Sequence, residues 1–307
     1  MRGGEDRLAT IDVHELIKAG VHFGHRTSRW NPKMAPYIFK KRNLIHIIDL
    51  RQTVRGLLTA KRVAEAIAAA GHYILFIGTK RQARPVVLRE AQRCGMPCVT
   101  ERWPGGLLTN YATIRRRLQR LEELEEMDRS GAIELYSKKM ISSLRRERRK
   151  IERNLGGVRS MDRLPGLLVV VDPKREQIAI REAVKLRVPT VAWIDTDGDP
   201  QGIDIVVPAN DDAIGSIEIF VRMMADAVLE GRQQAKVGQP EQAAQEAGAQ
   251  EQQQEAPQKS QPEPGAREGG PETGSGSPTG TTETALHATP QSGKDASNIC
   301  GGGRPAS

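Results

Sequence analysis

Between Val21 and Met34 the chain reads VHFGHRTSRWNPKM, a short stretch that gathers two His, two Arg, a Phe, a Trp and a Lys. Arg26, Arg29 and Lys33 offer positive charge, Asn31 a hydrogen-bonding amide, and Phe23 and Trp30 flat aromatic faces. Arg and Lys meet phosphates, while aromatic and guanidinium planes stack on exposed bases, so the two kinds of group interleaved suit an irregular RNA surface. Gly24 leaves room for close approach of another backbone, and Pro32 stops a helix from running through. The alternative is a packed arm with Phe23 and Trp30 in a core and the arginines solvated.

Other chemistry has weaker support. Gly78-Thr79-Lys80 lies after a strand and before a helix, where α/β proteins hold phosphates, but it matches neither glycine-rich nucleotide motif. A tight turn explains it. His22-x-x-His25 with Cys94-x-x-x-Cys98 has the composition of a zinc site, yet nothing in the sequence joins the two pairs, and buried apolar packing suits the cysteines better. Asp195, Asp197, Asp199, Asp204, Asp211 and Asp212 follow predicted strands and could hold a hard cation, although DGDP and NDDA read first as turn and cap chemistry. No Ser/His/Asp, Cys/His or paired-carboxylate arrangement has supporting context, so no catalytic constellation is expected.

Charge favours a polyanionic partner. The chain of 307 residues carries a net +8. Residues after Arg232 hold five Lys plus Arg against nine Asp plus Glu, which leaves 41 against 29, a net +12, on residues 1–232. An excess of this size predicts binding that weakens steeply with salt. Residues 233–307 are built from Gln, Glu, Pro, Gly, Ser, Thr and Ala and are expected to be a disordered low-complexity tail. Three cysteines do not make a disulfide framework. With neither a signal-peptide core nor a stretch of membrane-span length, a soluble cytoplasmic protein is expected.

The elements that must position these groups follow from periodicity. Asp12–Ala19 reads as a short helix, Tyr37–Leu50 as a brief extended segment with Lys40, Lys41 and Arg42 at an exposed turn, and Thr53–Ala70 as a helix. A β/α rhythm then begins. Strands are expected at Tyr73–Ile77, Cys98–Thr100, Leu167–Val171, Thr190–Ile194 and Ile203–Val207. Helices are expected after the first (burying Val87, Leu88, Ala91 and Cys94), over Arg175–Leu186, and over Asp212–Glu230. This alternation implies a parallel sheet covered on both faces. Thr109–Leu155 is too long for one crossover. Its apolar series (Ile114, Leu118, Leu121, Leu124, then Leu144, Ile151, Leu155) reads as two helices folded back as a protruding antiparallel hairpin. Lys138 to Arg153 contains eight Lys plus Arg, opposed only by Glu147 and Glu152. Such near one-sign density suits phosphate tracking, reinforced by Arg115, Arg116, Arg117 and Arg120.

Several stretches coincide with one family. AGVHFGHRTSRWNPKMAPYIF, IHIIDL, FIGTKRQA, RWPGGLLTNYATIR, LGG, VVVDPKREQIAIREA and DTDGDPQGIDIVVPANDDAIGSI resemble the bacterial ribosomal protein uS2 family, in order, from about Ile11 to Gly231. The resemblance implies a Rossmann-like (flavodoxin-like) five-stranded parallel sheet flanked by helices, with a protruding coiled-coil hairpin at about 109–155. It implies a structural constituent of the small ribosomal subunit, without catalysis, cofactor, metal, membrane or small-molecule substrate. The implied partners are small-subunit rRNA and other small-subunit proteins, among them the multi-OB-fold mRNA-binding protein. The expected RNA-binding set is His22, His25, Arg26, Arg29, Trp30, Asn31, Lys33, Arg102, Trp103, Arg115, Arg116, Arg145, Arg146, Arg148, Arg149 and Arg153. Lys40 and Leu44 stand where the family commonly has Gly. Pro104 replaces a usual Leu, Gly198 a small Ser or Cys, and Gly215 an Arg.

Overall fold

The structure is a computed structural model that describes residues 11–254. Its centre is five short strands, β4 (Ile74–Ile77), β5 (Cys98–Val99), β6 (Leu167–Val171), β7 (Thr190–Ile194) and β8 (Ile205–Pro208), numbered after three earlier ones. They pair all-parallel in the order β5-β4-β6-β7-β8. With helices on both faces this is the Rossmann-like α/β arrangement, and the order reverses between β4 and β6.

Burial on both faces explains why these strands read as unbroken apolar runs. Ile74 and Phe76, Leu167, Val169 and Val171, and Val191 and Trp193 point to one core. Helices α2 (Leu50–Ala69), α3 (Ala83–Cys94) and α7 (Ile214–Gln254) cover it. Leu75, Ile77, Leu168, Val170 and Ala192 point to a second core, closed by α6 (Gln177–Leu186), by Trp103, Leu107 and Leu108, and by the near ends of α4 (Tyr111–Arg129) and α5 (Lys138–Leu155).

Three expectations change in detail. Helix α2 starts earlier than periodicity suggests, because Asp49 accepts the Arg51 amide and caps it. In α3 Val87, Ala91 and Cys94 are buried as expected, but Leu88 is exposed and Val86 is buried instead. Helix α7 continues to Gln254, past Gln233 where composition places the onset of disorder. The rest of that tail, from 255 on, lies outside the described residues.

The largest difference is at the N-terminal end. After α1 (Val13–Lys18), the arm and the segment behind it form a three-stranded antiparallel sheet of β1 (Phe23–Arg26), β2 (Ile38–Arg42) and β3 (Ile45–Ile48), ordered β1-β3-β2. The arm therefore begins with a strand, to which periodicity assigns no element. Lys40, Lys41 and Arg42 belong to β2, and the turn is Asn43-Leu44, both with positive φ. Long-range pairing of β1 with β3 decides this, and strands of only four or five residues, one holding Gly24, leave little periodic signal.

Helices α4 and α5 pack on each other. Helix α4 buries Ile114, Leu118, Leu121 and Leu124, whereas α5 buries only Leu155, with Ile141, Leu144, Arg148 and Ile151 half-buried. Ion pairs join the two, Arg120 to Glu147 at 3.4 Å and Arg148 to Asp128 at 2.7 Å.

Candidate nucleic-acid interface

Strand β1 lies against the loop that follows β7, and small residues let it do so. A Cβ on Gly24 would sit 2.6 Å from Thr196 Cγ2, so only glycine allows this approach. The His25 amide donates to Asp195 Oδ1 (3.1 Å) and Thr196 Oγ1 (2.9 Å), and the Asn31 amide to the Thr196 carbonyl (2.8 Å). Asn31 also caps the following turn by accepting the Lys33 amide at 3.0 Å. The Lys33 ammonium donates to Asp199 and Gln201, each at 2.7 Å.

His25 is held more firmly still. Its Nδ1 lies 2.9 Å from Asp195 Oδ2 and 3.8 Å from Asp197, and its Nε2 lies 3.4 Å from Asp212. The Asp195 hydrogen bond, with the charges of Asp197 and Asp211 behind it, outweighs burial and raises the imidazole to about 9. His25 is thus a cation inside a carboxylate cluster. Its ring, Arg26 and Arg29 line an open cavity of about 470 Å³ with Phe23, Ser28, Asn210 and Asp212.

The crevice at the carboxyl ends of β4 and β6, where ligands usually bind in such sheets, is filled by the chain's own groups. Lys80 Nζ sits 2.7 Å from Asp211, 2.6 Å from Asp212 and 3.9 Å from Asp172. Burial pushes the Asp211 carboxyl up to about 7, with Asp172 and Asp195 adding to the shift. The Thr79 hydroxyl donates to the buried Glu176 and accepts from Arg175 Nε at 3.0 Å. A phosphate would meet this ring of carboxylates and find the lysine already paired, so the turn reading of Gly78-Thr79-Lys80 is the one the geometry supports. His25, Asp195 and Asp211 offer ligand atoms within 4.8 Å of one another. The Lys80 ammonium already supplies a positive charge to Asp211. Asp199 serves a turn, accepting the Gln201 amide, and Asp204 accepts the Thr190 amide at the start of β7.

The cysteine–histidine pairs are not brought together. Cys94 and Cys98 are buried in the core around α3, and burial raises both thiols to about 11. They behave as apolar packing.

The remaining expected residues fall into three placements. Arg26 and Arg29 are exposed beside the first cavity, while Trp30 is 37% exposed with its ring 5.1 Å from that of His46. His22 lies with its ring 4.0 Å from that of Phe23. Arg102 is exposed, but Trp103 is only 5% exposed and leaves no free face for a base. Trp103 Nε1 donates to Glu182 Oε1 at 3.1 Å, and the same carboxylate accepts the amides of Gly106 (2.7 Å), Leu108 (3.0 Å) and Thr109 (3.2 Å). Burial opposes the charge of Glu182, but these bonds outweigh it and hold the carboxyl below its usual range. Sequence reading passes over Glu182. The available signal was a carboxylate on the buried stripe of α6, between Ala179 and Ala183.

On the two packed helices, Arg115 and Arg116 are exposed on α4. Of the α5 cations, Arg145 and Arg148 pair with Asp128 at 3.3 and 2.7 Å. Arg146, Arg149 and Arg153 are exposed and make no ion pair among the described residues, and Lys138, Lys139 and Lys150, absent from the expected set, share that condition. The result is an exposed face of six cations without acidic partners among the described residues.

Comparison with known proteins adds the family. The model of the family described as ribosomal protein S2 matches residues 16–231. A curated relative from Rhodopirellula baltica, the small ribosomal subunit protein uS2, is 57% identical over 242 residues, covering 78% of this chain and 93% of the relative.

Proposed function

The chain belongs to the ribosomal protein S2 family, a family of structural ribosomal proteins and not of enzymes, and from that premise we propose that it is a constituent of the small ribosomal subunit that binds rRNA through α5 and the arm. The observation that carries the reading is the exposed α5 face of Lys138, Lys139, Arg146, Arg149, Lys150 and Arg153. A solvated helix face normally balances signs, and α4 does so, with five acidic residues to its five arginines and Arg120 and Arg129 pairing with Glu123 and Glu126. A face left cationic while its neighbour is balanced fits a ladder of phosphates. Arg26 and Arg29 add exposed positive charge at the carboxyl ends of the parallel strands, with Trp30 partly exposed beside them.

Docking of neighbouring small-subunit proteins, the multi-OB-fold mRNA-binding protein among them, belongs to the same proposal. The exposed apolar Ile178 and Val184 on α6 support it.

The test reverses Arg146, Arg149 and Arg153 to Glu, which leaves the Asp128 pairs intact. Occupancy of small subunits isolated at raised salt should drop. The slope of log affinity for small-subunit rRNA against log salt should flatten by roughly one unit for each phosphate no longer neutralised. Unchanged occupancy and slope in a folded variant would remove α5 as the RNA-binding element.

A further inference from the structure

The sheet β1-β3-β2 has two unlike faces. Its inner face carries His46 and Ile48, both buried. Its outer face carries Ile45 and Ile47 of β3, because successive side chains alternate. Register places Phe23 of β1 beside Ile47, and Lys40 and Arg42 of β2 beside Ile47 and Ile45. Together with His22 and Asn43 these residues line an open cavity of about 390 Å³. That volume lies within the roughly 300–1,000 Å³ of small-ligand clefts.

The make-up of this cavity is specific. Two isoleucines form an apolar floor on a face that an ordinary one-sided antiparallel sheet gives to polar residues. One wall is aromatic, with Phe23 47% exposed and the His22 ring against it. Burial lowers the His22 pKa, so that ring is neutral near pH 7 and stacks without charge. The other wall is cationic, Lys40 and Arg42, and no carboxylate among the described residues lines the cavity.

We propose that this cavity takes one unpaired nucleotide of RNA, its base on the isoleucine floor against Phe23 and its phosphate between Lys40 and Arg42. The inference rests on the RNA-binding reading above and adds a second, separate contact to it. A base within a duplex presents no free face to Phe23, so the occupant is single-stranded. The two cations, with no acid lining the cavity beside them among the described residues, favour a nucleic acid over a peptide.

The experiment titrates the full chain with fluorescein-labelled hexaadenosine and hexauridine, and separately with a labelled short RNA duplex, following anisotropy. Phe23→Ala, and Lys40→Ala with Arg42→Ala, should each weaken single-strand binding about tenfold, a typical effect of removing one stacked base or its phosphate partner. Duplex binding should stay unchanged. Phe23→Trp, which keeps a stacking face, should restore the affinity, and Lys41→Ala, on the opposite face of β2, should change nothing. Single-strand affinity unmoved by the Phe23 and Lys40/Arg42 variants, or lowered equally by Lys41→Ala, overturns the inference. So does a variant that binds RNA normally but loses a neighbouring protein from assembled subunits, since the face would then take a protein. Failure here with α5 reversal still abolishing duplex binding leaves the broader reading standing. Failure of both sets of variants to alter any RNA binding removes it.

Discussion

His25 shows how a residue type suggestive of RNA contact is put to structural use. Its imidazolium neutralises Asp195 and Asp212, and its amide closes β1 onto Thr196. A folded pKa of about 9 against the usual 6.5 means that folding takes up a proton. The stabilisation is therefore complete below pH ~6.5 and fades as pH rises through ~9. Thermal melting followed across that window should show stability falling with pH, and His25→Asn should flatten the slope. A slope untouched by the substitution would mean the charge of His25 is not what the cluster needs. Spacing shows that His25 sits in a basic, aromatic arm. It does not show that Asp195, Asp197, Asp211 and Asp212 gather around it. Those residues become its neighbours only when β7 and β8 join the sheet.

At the scale of elements, two features stand out. The first is the loop from Trp103 to Thr109, whose three buried or half-buried amides and one indole N–H all end on Glu182. Through this loop α6 fixes where α4 begins. Replacing Glu182 with Ala leaves those donors without an acceptor, at a cost of about 1–3 kcal/mol for each that water cannot reach. A drop of at least about 2 kcal/mol in unfolding free energy is expected, with faster amide exchange at the start of α4. Unchanged exchange there would show that the loop holds itself. The second is the β2–β3 turn, where Leu44 has φ 61° and is 67% exposed. A left-handed leucine costs about 1–2 kcal/mol. Leu44→Gly should therefore raise stability by about 0.5–1 kcal/mol after the added freedom of the unfolded chain is subtracted. A loss of stability in urea unfolding would contradict this and point to a packing role for the Leu44 side chain.

For the whole molecule, the division of labour is between an apolar platform and charged surfaces. The two cores flanking the parallel sheet are packed from apolar side chains. The buried carboxylates beside them, Glu176, Glu182, Asp195 and Asp211, are each hydrogen-bonded or ion-paired, and the net +12 of residues 1–232 comes mostly from exposed Lys and Arg. Stability and RNA binding should then respond differently to salt. Raising ionic strength from about 50 to 200 mM should lower rRNA affinity by a factor of about 100 or more. The melting temperature should shift only slightly. A parallel fall in both would mean that the charged surfaces hold the fold together.

The sequence by itself determined the parallel sheet, its two covering layers and the pair of inserted helices, because strands buried on both faces and helices with apolar stripes leave a periodic mark that local reading detects. It also determined the excess of positive charge on α5, which is a matter of counting. Only the tertiary structure decided which cations are spent internally. Lys33, Lys80 and His25 meet aspartates, and Arg148 meets Asp128, while Arg146, Arg149 and Arg153 remain unpaired among the described residues. It alone turned the arm into a sheet with an apolar outer face, since pairing between β1 and β3 and the approach of Thr196 to Gly24 depend on residues far apart in the chain. Pairing and burial are long-range properties, and a residue's type reports what it can bond to but not which partner reaches it first.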